Sequence, residues 1–317
     1  MSILLIKNGH IFSPKPVGKH DLLVINDKIV KINTNISISF LTKIDENIKI
    51  IDATNNIIIP GFIDQHVHIN GAGGEGGPQF RTPPMQFHQF IEAGITSVIG
   101  LLGTDGLTRS LSGLLMKARA LEQQGLSTWI YTGAYQYPSP TMTGSVLSDL
   151  LLIDKVIGVK IALSDHRSSH PTRNDFAKLV SQARNGGILS GKAGVVHLHI
   201  GGEKSGLNHL FDLIKQTDIP IAQFAPTHLG RNEAIFEHAV EFGKMGGYID
   251  FTTDTLPAAQ SSESITPGKA IKKLMENHIS VKKVTISSDG NGSLPRFNKE
   301  KKLIGMRIAS VLSLQQT

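Results

Sequence analysis

Residues 57–68 read IIIPGFIDQHVH, an apolar run that ends in two histidines one residue apart. The run fits a buried strand. On a strand, residues two apart share a face, so His66 and His68 stand side by side at its C-terminal end. Two imidazoles held in this way make half of a transition-metal site, although a bare HxH also occurs as packing histidines. The rest of the chain decides between these readings.

Seven further strand candidates follow: 96–103, 127–135, 156–164, 194–201, 222–228, 246–254 and 282–290. Amphipathic segments such as 109–125 and 231–247 lie between them, with apolar residues at i, i+3 and i+4. Eight strands alternating with helices predict an α/β fold, a (β/α)8 TIM barrel over residues 57–317. A doubly wound sheet is the structural alternative, but it does not call for polar residues at nearly every strand end. Here they stand at His68, Thr104, Tyr135, Lys160, His199, His228, Asp254 and Asp289. The C-terminal face of a barrel is where its active site is built. Residues 1–56 differ in texture. Short alternating Val/Ile runs broken by Asn, Asp and Gly predict a small β-unit of its own.

Composition narrows the chemistry. The 317 residues include no cysteine, so disulfides and thiolate ligands are excluded and any metal is held by His, Asp, Glu or a modified Lys. The formal net charge is +6, but the basic residues are scattered, with short clusters such as 299–302. This predicts no nucleic-acid partner and at most a mild attraction for anionic substrates. The N-terminus has no basic segment before its apolar run, and no apolar stretch is long enough to span a bilayer. No membrane association and a cytoplasmic location are therefore expected.

The metal-competent residues at strand ends are His66, His68, His199, His228 and Asp289. Five N/O donors exceed what one zinc takes, so two metals are expected. Such a pair needs a bridging anion, and the fourth strand offers Lys160. A buried lysine beside two cations loses its proton and can take up CO₂ as a carbamate; the alternative is a strand lysine whose head reaches water. The Gly-rich stretch GAGGEGG (71–77) lacks the G-x-x-x-x-GK[ST] pattern of a phosphate loop.

The motifs GFIDQHVH, the strand-four lysine, the two later histidines and SSDG (287–290) resemble the amidohydrolase superfamily. INGAGGEGGP (69–78), RTP (81–83), GLLGTDGLTR (101–109), TGAYQYPSPTMTGS (132–145), IGVKIALSDHRSS (157–169) and SSDGNGS (287–293) narrow this to a close similarity to isoaspartyl (β-aspartyl) dipeptidases. The resemblance implies two Zn²⁺ per subunit. His66, His68 and Asp289 would bind one, His199 and His228 the other, and carboxylated Lys160 (N6-carboxylysine) would bridge both. His197 competes with His199 for the strand-five position. A hydroxide between the metals would attack the amide, with Asp289 as general base and then acid, and Tyr135 would stabilise the oxyanion. Glu75 would hold the substrate ammonium, Arg167 and Arg231 its carboxylates, and Thr104 and Ser293 would hydrogen-bond nearby.

The implied partner is a small peptide, an isoaspartyl dipeptide, and a homo-oligomer is expected. Relatives continue past the eighth strand with helix and then strands that complete the β-sandwich begun by residues 1–56. The segment LIGMRIASVLSLQQT (303–317) is expected to be helical, the N-terminal sandwich incomplete, and its uncovered edges association-prone. Two alternatives accompany the dipeptidase: a weakly active or inactive truncated relative serving as a metal-binding or interaction module, and another cyclic-amide hydrolase of the superfamily.

Overall fold

The computed structural model describes residues 2–253, 264–298, 300 and 302–316. Two compact units divide after Gly61. In the first, β1 (Ile3–Phe12), β2 (Pro16–Ile25) and β3 (Lys28–Asn33) form an antiparallel meander. Its β2–β3 turn places Asn26 at φ +54°, a conformation asparagine tolerates better than most residues. The short helix α1 (Ile38–Leu41) follows, then β4 (Lys49–Asp52) and β5 (Ile57–Ile58), both parallel to β1. Ile3, Leu5, Leu23, Ile36 and Leu41 make the small core.

The run 57–68 is two strands rather than one. Ile57–Ile58 pair with β1, and a separate strand, β6 (Phe62–Val67), opens the second unit. Pro60, which has no N–H to donate, stands with Gly61 at the break.

The second unit alternates strand and helix. After β6 come α2 (Phe87–Glu92), β7 (Ile95–Gly100), α3 (Leu111–Gln123), β8 (Ser127–Gly133), α4 (Val146–Leu152) and β9 (Val156–Leu163). Then follow α5 (Arg173–Ser190), β10 (Val195–Ile200), α6 (Asn208–Gln216), β11 (Phe224–Thr227), α7 (Glu233–Lys244), β12 (Ile249–Thr252), α8 (Pro267–Glu276) and β13 (Val284–Ser287). Helix starts are fixed by side chains: Ser110 accepts from Gly113 N, Asn232 accepts from Ile235 N, and Thr172 and Asp175 form a capping box.

Strands β6 to β11 form one parallel sheet, and β12 and β13 pair in parallel. Two seams join these sheets. At one, Leu229 N donates to Asp250 O (3.3 Å); at the other, Val67 bridges Gly290 and His68 N donates to Gly290 O (2.9 Å). The eight expected strands thus follow one another around a barrel. Between its strands and the surrounding helices, Val98, Ile130, Val159, Val196, Leu198 and Phe251 belong to one apolar core.

The C-terminal segment departs from the expected helix. Strand β14 (Ser293–Phe297) pairs antiparallel with β15 (Leu303–Ile308), and Val311–Gln315 form one 3-10 turn. Gly305 takes φ +157°, which no helix contains, and β14 supplies the ladder that fixes the strand. Asp254 lies outside the described residues.

Candidate active site

Strand ends aim the polar residues into the barrel mouth. Ser164, His228 and Asp289, just past β9, β11 and β13, have φ of +54°, +65° and +55°. A non-glycine residue in this region is strained, and such positions gather at functional sites.

His66 is fully buried. Its Nε2 lies 3.3 Å from Asp289 Oδ1 and 3.4 Å from Lys160 Nζ. His68 Nε2 lies 3.2 Å from the same Asp289 oxygen. The His228 ring centroid is 4.9 Å from that of His66 and 4.5 Å from that of His199. One ligand atom each from His66, His228 and Asp289 falls within 4.8 Å of the others. His197 points elsewhere: its Nε2 meets His66 Nδ1 at 2.7 Å, and its ring stacks on Tyr131.

The electrostatics follow from burial. Desolvation holds His66, His197, His199 and His228 well below the usual imidazole range and lowers His68 as well. These rings are neutral, with lone pairs to offer. Burial likewise pushes Lys160 down to about 7. Burial alone would raise Asp289, but hydrogen bonds from His66 and His68 outweigh it and hold the carboxylate well below its usual range. Burial raises the Tyr135 phenol, which stays protonated.

This donor set fits divalent metal ions. Neutral imidazoles and an ionised carboxylate converge, and the buried His228 Nε2 has no hydrogen-bond partner.

A cavity of about 430 Å³ opens above the cluster. Its lining includes His68, Glu75, Tyr135, Asp165, Arg167, His199, Arg231, Asp289 and Ser293. Glu75 Oε1 accepts from Thr104 Oγ1 (3.0 Å), Glu75 Oε2 accepts from Ser293 Oγ (2.6 Å), and Arg167 Nη1 lies 3.8 Å from Glu75. Arg231 Nη2 is 3.5 Å from His199, and Tyr135 OH is 2.9 Å from His199 Nδ1. The twelve side chains expected to bind metal, catalyse or hold substrate therefore meet here; eight line the cavity, while Thr104 reaches it through Glu75 and His66, Lys160 and His228 are buried beside it.

Two residues were not singled out. Asp165 carries His199 and Arg167 on one carboxylate; its only sequence signal is its place directly after a barrel strand. Asn291, at φ +65°, donates to His68 O (3.1 Å) and Pro83 O (2.8 Å), and so ties the Asp289 turn to the His68 segment.

No family model matches the sequence. Among solved structures, the beta-aspartyl dipeptidase of Fervidobacterium islandicum AW-1 in complex with beta-Asp-Leu dipeptide is 45% identical, with a TM-score of 0.90. The alignment covers 99% of this chain and 80% of that one. A second structure of that enzyme gives 43% identity and a TM-score of 0.87. This chain belongs to the beta-aspartyl dipeptidase family of the amidohydrolase superfamily. Among curated proteins, dihydroorotase of Lactococcus lactis is 44% identical over 72 residues. That match takes in 22% of this chain and spans only 15% of the relative's length. Dihydropyrimidinase of Brevibacillus agri, 16% identical with a TM-score of 0.59, shares the fold.

Proposed function

We propose that this chain hydrolyses β-aspartyl (isoaspartyl) dipeptides at two zinc ions. The observation that carries this reading is a single cavity that sets Glu75, Arg167 and Arg231 beside the His66/His68/His199/His228/Asp289 cluster. His66, His68 and Asp289 would hold one metal and His199 and His228 the other, with Lys160, as its carbamate, between them. When bound, the metals supply Lewis acidity: they lower the pKa of water and polarise a carbonyl.

The chain's own groups do the rest. Asp289, kept ionised by His66 and His68, is placed to take a proton from attacking water and return it to the leaving amine. Tyr135, a protonated phenol at neutral pH, donates to the oxyanion. Glu75 is held by Thr104 and Ser293 and accepts the substrate ammonium. Arg167 and Arg231 take the two carboxylates. An ordinary α-linked peptide would place its scissile carbonyl one methylene away from these anchors.

The local likeness to dihydroorotases favours a second reading, hydrolysis of a cyclic amide. A cyclic ureide carries no ammonium for Glu75. The test is steady-state hydrolysis by zinc-loaded protein of β-Asp-Leu, α-Asp-Leu and dihydroorotate. The dipeptidase reading expects β-Asp-Leu to be preferred by at least about a hundredfold in kcat/KM, the equivalent of two lost charged contacts. Equal rates on α- and β-linked dipeptides, or turnover of dihydroorotate alone, would overturn it.

A further inference from the structure

Asp165 follows β9 and is only 3% exposed, yet it lines the cavity. Its Oδ2 sits 3.0 Å from His199 Nε2 and accepts from Arg167 Nη2 at 2.8 Å. Its Oδ1 accepts from Arg167 Nε and from the Arg167 backbone N–H, both at 2.9 Å. One carboxylate thus serves a side chain assigned above to metal and one assigned to substrate.

The geometry points to Asp165 as a positioning residue. It fixes the tautomer of His199 that carries its proton on Nε2, and it locks Arg167 in one rotamer, so that the second metal position and the substrate-carboxylate clamp share one support. This rests on the functional reading above and extends it to a residue outside the assigned set. With Nε2–H committed to Asp165, Nδ1 keeps the lone pair that a metal needs. Tyr135 OH lies 2.9 Å from Nδ1 and 3.1 Å from Nε2. A carboxylate on the far nitrogen of an imidazole orients the ring and raises the basicity of the near one. Arg167 spends Nε and Nη2 on Asp165 and turns Nη1 toward Glu75, 3.8 Å away across the cavity, where a substrate oxygen would meet it.

The backbone holds Asp165 firmly. Ser164, in the left-handed region, donates from Oγ to Gly206 O (2.6 Å) and accepts from Ser205 Oγ (2.8 Å), while its O accepts from Glu203 N (3.0 Å). Gly201 lets the end of β10 pass close by. A Cβ there would fall 2.5 Å from both Cα and Cβ of Asp165 and 2.2 Å from Ser164 O. A glycine at such an approach permits what no other residue allows.

The experiment compares wild type, Asp165→Ala, Asp165→Asn and Gly201→Ala as full chains. Zn²⁺ affinity is measured by competition with a chromophoric chelator, alongside KM and kcat on β-Asp-Leu and the thermal midpoint. For Asp165→Ala, one of two zinc equivalents should weaken 10- to 100-fold while the other stays within about twofold. KM should rise about tenfold, as expected for a misplaced charge-assisted contact. Asparagine, which keeps the shape but has one acceptor oxygen, should fall between, and Gly201→Ala should move both readouts the same way.

Unchanged affinity at both equivalents overturns the proposal, and so does an unchanged KM. Equal weakening of both equivalents in step with the melting temperature also overturns it, by making Asp165 merely structural. A wild type that takes up no zinc overturns the functional reading and this inference together. A wild type that binds two, beside an Asp165→Ala variant that binds both as tightly, overturns this inference alone.

Discussion

Lys160 is buried where an ammonium is costly, and desolvation brings it down to about 7 from an ordinary 10.5. In metal-free protein the unfolded chain binds the extra proton between these values. This group therefore makes stability rise as pH increases from about 7 to 10.5. Urea midpoints of wild type minus Lys160→Met, measured at pH 7 and 9 without metal, should show that slope; a flat difference would refute it. Carbamate formation also needs the neutral amine, so zinc loading with bicarbonate should fall off below about pH 7. Lys160→Ala should bind fewer than two zinc per chain.

Asp21 shows the opposite sign. Burial would raise it, but Asn8 N, Ile36 N and the Lys7 ammonium, each 2.9–3.0 Å away, lower it below its usual value. Its stabilisation is present above pH 4 and lost as pH falls through the folded value. Asp21→Asn should cost about 2 kcal/mol at pH 7 and less at pH 3. A cost that does not change with pH would show that charge is irrelevant there. At this scale His66, Lys160 and His199 were legible because position on a strand dictates direction, and His68, His228 and Asp289 because each lies one or two residues past a strand end. Asp165 was not, because its role arises from a turn clamped by Gly201 and Ser205, partners more than thirty residues away.

The elements were legible where a short apolar run is bounded by polar or glycine-containing turns, as for β7 to β10. Periodicity also located α3 and α7, each begun by a capping side chain. The C-terminal segment was misjudged because LIGMRIASVLSL suits either helix or strand until a partner is known, and β14 is that partner. Closure of the barrel was expected, but the side chain that ties its seams, Asp250, was hidden. This buried carboxylate accepts from Thr227 Oγ1 (2.5 Å), Ser287 Oγ (2.6 Å), Gln65 Nε2 (2.6 Å) and Thr285 Oγ1 (2.8 Å). Those donors sit on β11, β13 and β6, so one side chain spans both thin seams. Asp250→Ala should leave several buried donors unpaired and cost about 3–5 kcal/mol in urea unfolding. Asp250→Asn should cost less, because one acceptor survives. A loss below about 1 kcal/mol for alanine would mean that the seams are closed by something else.

Across the whole molecule, the six proposed metal donors come from five separate places around the barrel. His66 and His68 belong to β6 and its end, Lys160 to β9, His199 to β10, and His228 and Asp289 to the turns after β11 and β13. Only the folded chain brings them together, so metal binding is linked to folding. Zinc at about a hundred times its Kd should add about 2.7 kcal/mol per site, read as a higher thermal midpoint that a chelator reverses. The gain should also be local. A metal shared by Asp289 with His66 and His68, as proposed, would join β6 to the segment after β13, where the strand ladder thins to the Val67–Gly290 bridge. The amides of His68 and Leu229, which bond to Gly290 and Asp250 across the two seams, should exchange more slowly on zinc addition. Amides in the middle of α5, already in a regular helix far along the chain from either seam, should change less. Lys160→Ala should keep its helices and lose this zinc-dependent protection. Protection that rises equally at α5 and at the seams would mean that zinc acts on the barrel as a whole and not through the strands that carry its donors.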